Sequence, residues 1–118
     1  MSANILNVTP ETLQSDVFNA KQPVLLDLWA PWCAPCRALA PALDKLAANA
    51  GKGLQVAKLD VEQYPEMMQE LKVRGIPALL LIKDGEEISR EVGTKTLAQL
   101  THWLTKNNVE LNAANDQP

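Results

Sequence analysis

The sequence predicts an α/β chain: a central mixed β-sheet of about five strands flanked by about four helices. Three observations carry this reading. Strand-like runs alternate with helical patterns in the order β-α-β-α-β-α-β-β-α, which implies a sheet covered by helices on both faces. Val24-Leu25-Leu26-Asp27-Leu28-Trp29 is almost wholly apolar, as a strand buried on both faces must be. Asp84-Gly85 separates two strand-like runs, and a tight hairpin turn needs positive φ at both of its central residues.

The elements follow in chain order. Thr9-Pro10-Glu11 reads as a helix start, with a cap, a proline at the first helical position and an acid in the first turn. That helix is expected to reach about Asn19, and Lys21-Gln22-Pro23 breaks the chain before the strand at 24–29. From Cys33 to about Ala50, Leu39, Leu43 and Leu46 form one apolar stripe of a helix. Pro41 lies inside it, and its missing N–H predicts a kink. Gly51-Lys52-Gly53 ends the helix, and Leu54 to Asp60 reads as a second buried strand. Tyr64 to Leu71 is a short helix opened by Pro65-Glu66. Ala78 to Lys83 and Glu87 to Val92 are the arms of the hairpin. Thr96-Leu97-Ala98-Gln99 is a capping box that opens a last helix to about Asn107, with Leu97, Leu100 and Leu104 on its apolar side. All 118 residues suit one domain with one core, and 109–118 is expected to be a frayed polar tail.

Composition narrows the function. With 47% apolar and 21% charged residues the chain is neither disordered nor collagen-like. A net charge of −3, with no block of like charges, offers nucleic acid no basic surface. The longest strongly apolar run, Ile76 to Ile82, contains Pro77 and falls far short of the about 20 residues that cross a membrane. The first eight residues lack a cationic start and a long apolar stretch, so a cytoplasmic chain is expected.

The two cysteines, Cys33 and Cys36, are three residues apart. A bridge across so short a loop stabilises by about 2 kcal/mol, against roughly 4.7 for a 100-residue loop. Such a pair serves chemistry better than stability. Structural zinc needs four ligands, and the chain has no third cysteine and one histidine, His102. No metal is expected. Cys33-Ala34-Pro35-Cys36 follows a buried strand and opens a helix, so positions i and i+3 bring the sulfurs onto one face. Cys33 meets the positive end of the helix dipole, which favours a thiolate, and Arg37 adds a permanent charge in the first turn. Cys33, at the exposed helix tip, is therefore expected to attack a substrate disulfide, and Cys36, one turn inside, to resolve the mixed disulfide.

Asp27 is a carboxylate among apolar neighbours, and desolvation raises its pKa towards that of a proton acceptor at neutral pH. Strand alternation puts it on the face of Trp29. It is expected to take the Cys36 proton, with Lys58 modulating it. The alternative is a structural ion pair between Asp27 and Lys58.

Asp27-Leu28-Trp29-Ala30-Pro31-Trp32-Cys33-Ala34-Pro35-Cys36-Arg37 resembles the active-site strand and loop of the thioredoxin family, which usually ends in WCGPCK. Ala40-Pro41 matches that family's kinked active-site helix, and Val56-Ala57-Lys58-Leu59-Asp60 the strand bearing its semi-buried lysine. Arg74-Gly75-Ile76-Pro77 resembles the segment with the cis-proline that faces the disulfide, and Lys83-Asp84-Gly85-Glu86 with Val92-Gly93 fits the hairpin and groove. The resemblance implies a thioredoxin fold and a protein-disulfide reductase. It also implies catalytic roles for Pro35 and Pro77 and a substrate groove of Trp32, Ala34, Val61, Gly75, Ile76, Pro77, Val92 and Gly93. The backbone beside Pro77 would pair with a substrate strand. No cofactor would be bound. Electrons would come from NADPH through a thioredoxin reductase, and a monomer is the family default. Ala34 where glycine is usual, Arg37 where lysine is usual and Ala78 where threonine is common put the redox potential in question. Two competing readings are an oxidase or isomerase and a redox-insensitive, chaperone-like binding module.

Overall fold

A computed structural model of the chain describes residues 4–111. Five strands form one sheet: β1 (Ile5–Asn7), β2 (Val24–Trp29), β3 (Gln55–Asp60), β4 (Ala78–Lys83) and β5 (Glu86–Val92). Their spatial order is β1-β3-β2-β4-β5. β3 runs parallel to β1 and β2, whereas β4 runs antiparallel to β2 and β5, so the sheet is mixed as expected. The helices are α1 (Ala34–Asn49), α2 (Glu66–Glu70) and α3 (Leu97–Lys106), with a single wide turn at Gln14–Phe18.

The sheet is central because β2 is apolar on both faces. Val24, Leu26 and Leu28 pack with Ala57, Leu59, Ala78, Leu80 and Ile82 into one cluster that also holds Cys33, Cys36, Met67 and Val73. On the other face Leu25, Leu79 and Leu81 meet Leu39, Leu43 and Leu46 of α1 and Leu100, Trp103 and Leu104 of α3. Burying each such leucine is worth about 1.5–3 kcal/mol, which commits both faces to helical cover. The β4–β5 turn has Asp84 at φ 54° and Gly85 at φ 82°, the positive pair that Asp-Gly was expected to supply. Thr96 and Gln99 form the expected reciprocal capping box.

Four expectations need correction. The helix expected from Thr9 to Asn19 is a capped turn followed by a wide one. Thr9 and Thr12 exchange side-chain bonds to each other's N–H, and the Asn19 N–H reaches back five residues to Gln14 O at 2.8 Å. Only Leu13 and Val17 of this segment are buried, too narrow a stripe to hold a regular helix against the sheet. The apolar side of α3 centres on Trp103 as well as Leu100 and Leu104; its indole N–H donates to Ser89 Oγ at 2.9 Å. Leu97 is only partly buried. Val109, expected in the frayed tail, is instead buried, and its N–H bonds Leu104 O at 2.9 Å. The rest of that tail, 112–118, lies outside the described residues. Finally, α2 is shorter at both ends than Tyr64–Leu71.

Candidate active site

β2 ends at Trp29, four residues before Cys33, and α1 starts at Ala34. Strand, loop and helix thus deliver the cysteine pair to one end of the sheet. Cys33 is the N-cap of α1, with extended backbone angles (φ −85°, ψ 108°). Its Sγ accepts the Cys36 N–H at 3.2 Å, the bond that a capping serine or aspartate oxygen would otherwise take. Cys36 is one turn inside the helix, and the two residues are joined as a disulfide with Cα atoms 5.2 Å apart.

The exposed tip expected for Cys33 needs correction: the residue is 4% exposed, no more open than Cys36 at 3%. The loop around it explains this. Cys33 Sγ lies 3.9 Å from the Ile76 carbonyl oxygen, so the segment before Pro77 covers it. What distinguishes the two sulfurs is the cap. Only Cys33 Sγ receives a helix N–H, and that donor favours negative charge there once the disulfide is reduced.

The Ile76–Pro77 bond is cis. Arg74, Gly75 and Ile76 make no backbone hydrogen bond among the described residues, although they lie beside the disulfide. The Gly93 N–H donates to Pro77 O at 2.8 Å, with Gly93 at φ 98°, a left-handed conformation that glycine adopts without strain. Around this segment Trp32 is 66% and Val92 54% exposed, large apolar surfaces that water wets. Ala34 and Pro35 are exposed, Ile76, Gly75 and Gly93 are half-buried, and Pro77 is buried. Val61, expected in the groove, is buried in the cluster with Cys33 and Leu59, and its N–H bonds Trp29 O at 2.8 Å.

Asp27 lies on the central strand, 1% exposed, with Lys58 and Leu79 as its register partners. Burial pushes its carboxyl up to about 7, and the Lys58 charge acts against that rise. Its Oδ1 has no hydrogen-bond partner among the described residues. Lys58 makes no ion pair within 4.0 Å there; its ammonium lies over the Trp29 ring, 5.2 Å from the centroid. The structural alternative, a buried Asp27–Lys58 salt bridge, is therefore absent from the described residues.

Two contacts went unread in the sequence. Arg37 donates to Pro31 O at 2.9 Å and Thr94 Oγ1 to Pro35 O at 3.1 Å, tying both flanks of the cysteine loop. Arg37 was visible only as a charge. No local signal marks Thr94, which is 59 residues from its partner. Among the described residues, no group of three or more His, Cys, Asp or Glu side chains could hold a metal ion.

A mixed sheet that presents a strand-to-helix CxxC pair, capped by its own helix and set against a cis-proline, defines a thiol–disulfide oxidoreductase. The comparisons agree. The family model for thioredoxin matches residues 4–106. The chain is 41% identical over 107 residues to "Thioredoxin C-2" of Corynebacterium nephridii, covering 91% of this chain and 99% of that one. The thioredoxin of Pseudomonas aeruginosa matches with the same identity and coverage. A bifunctional thioredoxin reductase/thioredoxin of Mycobacterium leprae is 41% identical over 100 residues, which is 85% of this chain and 22% of that protein. The chain belongs to the thioredoxin family. It is a protein-disulfide reductase, and the chaperone-like alternative is not favoured.

Proposed function

We propose that Cys33 is the attacking thiolate and Cys36 the resolving thiol in reduction of protein disulfides. The observation that carries this is the hydrogen bond from the Cys36 N–H to Cys33 Sγ, which stabilises charge on one sulfur of the pair only. Cys33 S⁻ bonds one substrate sulfur, and the substrate S–S bond breaks to release one thiolate. Cys36 gives its proton to Asp27 and attacks Cys33 Sγ, which releases the second substrate thiolate. The dithiol is oxidised by two electrons and the substrate reduced by two. Asp27, raised to about 7, suits that proton transfer near neutral pH, and Lys58 tunes it.

Substrate chains lie across Trp32, Ala34, Ile76 and Val92, with Gly75, Pro77 and Gly93 shaping the floor. That Arg74–Ile76 make no backbone–backbone hydrogen bond among the described residues supports strand-like pairing with the substrate. Pro35 and Pro77 flank the sulfurs. The fused reductase of the Mycobacterium leprae relative supports a separate thioredoxin reductase, fed by NADPH, as the electron donor. Among the described residues no helix is long and apolar enough to cross a membrane. A monomer working in the cytoplasm on protein disulfides is the reading that joins these features.

The test is covalent trapping. A Cys36→Ser variant should accumulate mixed disulfides through Cys33 that dithiothreitol releases, and Cys33→Ser should trap nothing. Equal trapping by both variants would remove the assignment.

A further inference from the structure

Helix α2 ends in a motif that leaves carbonyls unpaired. Lys72 is left-handed (φ 58°), and the Val73 N–H reaches back to Met68 O at 2.7 Å. The carbonyls of Leu71 and Lys72 are then among those that the end of a helix leaves without an internal partner. Both are taken by one side chain from β5: Arg90 Nη2 donates to Leu71 O at 3.0 Å and Nη1 to Lys72 O at 2.9 Å. The guanidinium is itself held by Glu87, which accepts from Nε and Nη2. Two carbonyls and one carboxylate thus fix a planar fork in a single orientation, which a lysine's point charge cannot reproduce.

The chain leaving this clamp runs Val73-Arg74-Gly75-Ile76 and reaches cis-Pro77, where the Gly93 N–H takes Pro77 O. Strand β5 and the residue after it therefore hold the segment at both ends, through Arg90 and Gly93. Between the two attachments, Arg74–Ile76 make no backbone–backbone hydrogen bond among the described residues, and the Ile76 carbonyl lies against Cys33 Sγ. We infer that Arg90, oriented by Glu87, is a positioning residue that sets the pose of the 74–76 backbone and thereby the recognition of extended protein substrates. This rests on the reading that substrates pair with that backbone. A rotation of the segment at its α2 end would move the pairing groups of Arg74 and Gly75 most, because Ile76 is held next to Pro77 at the other end, while the sulfurs keep the positions that α1 gives them. Binding of a long substrate should suffer, and exchange with a disulfide too small to lie along 74–76 should not.

The experiment compares Arg90→Met, Arg90→Lys and Glu87→Gln with the unaltered chain on two probes, insulin and dithionitrobenzoate. Arg90→Met should raise KM for insulin roughly fivefold with kcat within about twofold, and leave the dithionitrobenzoate rate unchanged. Arg90→Lys and Glu87→Gln should fall between, and they carry the comparison should the methionine variant not fold. An unchanged insulin KM, or equal losses on both probes, overturns the inference. Hydrogen exchange tests the underlying reading separately. In a Cys36→Ser mixed disulfide with a cysteine peptide, the Gly75 and Ile76 amides should gain protection. Absent protection removes the pairing reading itself; protection with an unchanged Arg90→Met KM removes only the role of Arg90.

Discussion

Asp27 and Lys58 are register partners on parallel strands, yet no ion pair joins them among the described residues: the Lys58 ammonium lies over the Trp29 ring instead. The acid is buried with one oxygen unpartnered among the described residues, and burial, which holds the proton on, outweighs the lysine charge, which favours its release. A carboxyl kept for structure would be expected to close that salt bridge, because an unpaired buried charge is costly. The arrangement instead suits a group that gains and loses a proton.

Stability should therefore fall as pH rises. The folded-state pKa of Asp27 is about 7 against an ordinary 3.8, so between these values the native chain binds more protons than the unfolded one. Unfolding free energy then declines through that window, and the full penalty persists above it. Asp27→Asn keeps the shape and removes the charge. It should flatten the dependence and stabilise the chain at pH 8 by up to about 4 kcal/mol. Denaturant titrations at pH 5 and pH 8 measure this, and an unaltered pH slope in the variant would sink the assignment of burial as the cause.

Catalysis should move in the opposite sense. Asp27→Ala is expected to slow disulfide transfer at pH 7 by about 100-fold while Cys33 alkylation changes little, because only resolution needs the proton acceptor. Lys58→Met removes the charge that holds the Asp27 pKa down. The midpoint of the pH–rate profile should then rise. A profile that stays in place would mean that another group sets it.

The Cys33–Cys36 couple is expected near thioredoxin's about −270 mV, in keeping with a reductant. Ala34 and Ala78 are the departures able to retune it. Equilibration against dithiothreitol buffers decides the matter, since a value nearer the roughly −180 to −120 mV of isomerases and oxidants would keep the fold and overturn the reductase direction.

Thr96→Ala should cost about 1 kcal/mol. It deletes the bond from the Gln99 N–H to Thr96 Oγ1 at 3.1 Å and leaves in place the reciprocal bond, in which the backbone N–H of residue 96 donates to the Gln99 side chain at 2.9 Å. In a thermal melt this corresponds to roughly 4 °C. No loss of activity is expected, and an unchanged melting temperature would mean that water replaces the lost bond without cost.

Much of the fold is legible because it is carried by neighbours in sequence. The bounds of β2 and β4, the Asp84–Gly85 turn and the Thr96–Gln99 box all agree with expectation, since apolar runs, positive φ and caps act over two to six residues. In the segment after Thr9 the expected cap forms, but the backbone opens into a wide turn, because only Leu13 and Val17 are buried against the sheet. A helix tip is ordinarily open, but the Ile76 segment that covers Cys33 arrives from 43 residues away, beyond the reach of local pattern.

Local patterning thus determined that a buried strand would carry Asp27 into the interior and that a helix would open on the cysteine pair. The spacing of apolar and capping residues is enough for both. Tertiary contact decided the rest: the cover over Cys33, the burial of Val61, the absence of an Asp27–Lys58 ion pair among the described residues, and the Arg90 fork on Leu71 and Lys72. Each of these depends on groups brought together by packing two faces of one sheet. No run of neighbouring residues encodes a distance between strands.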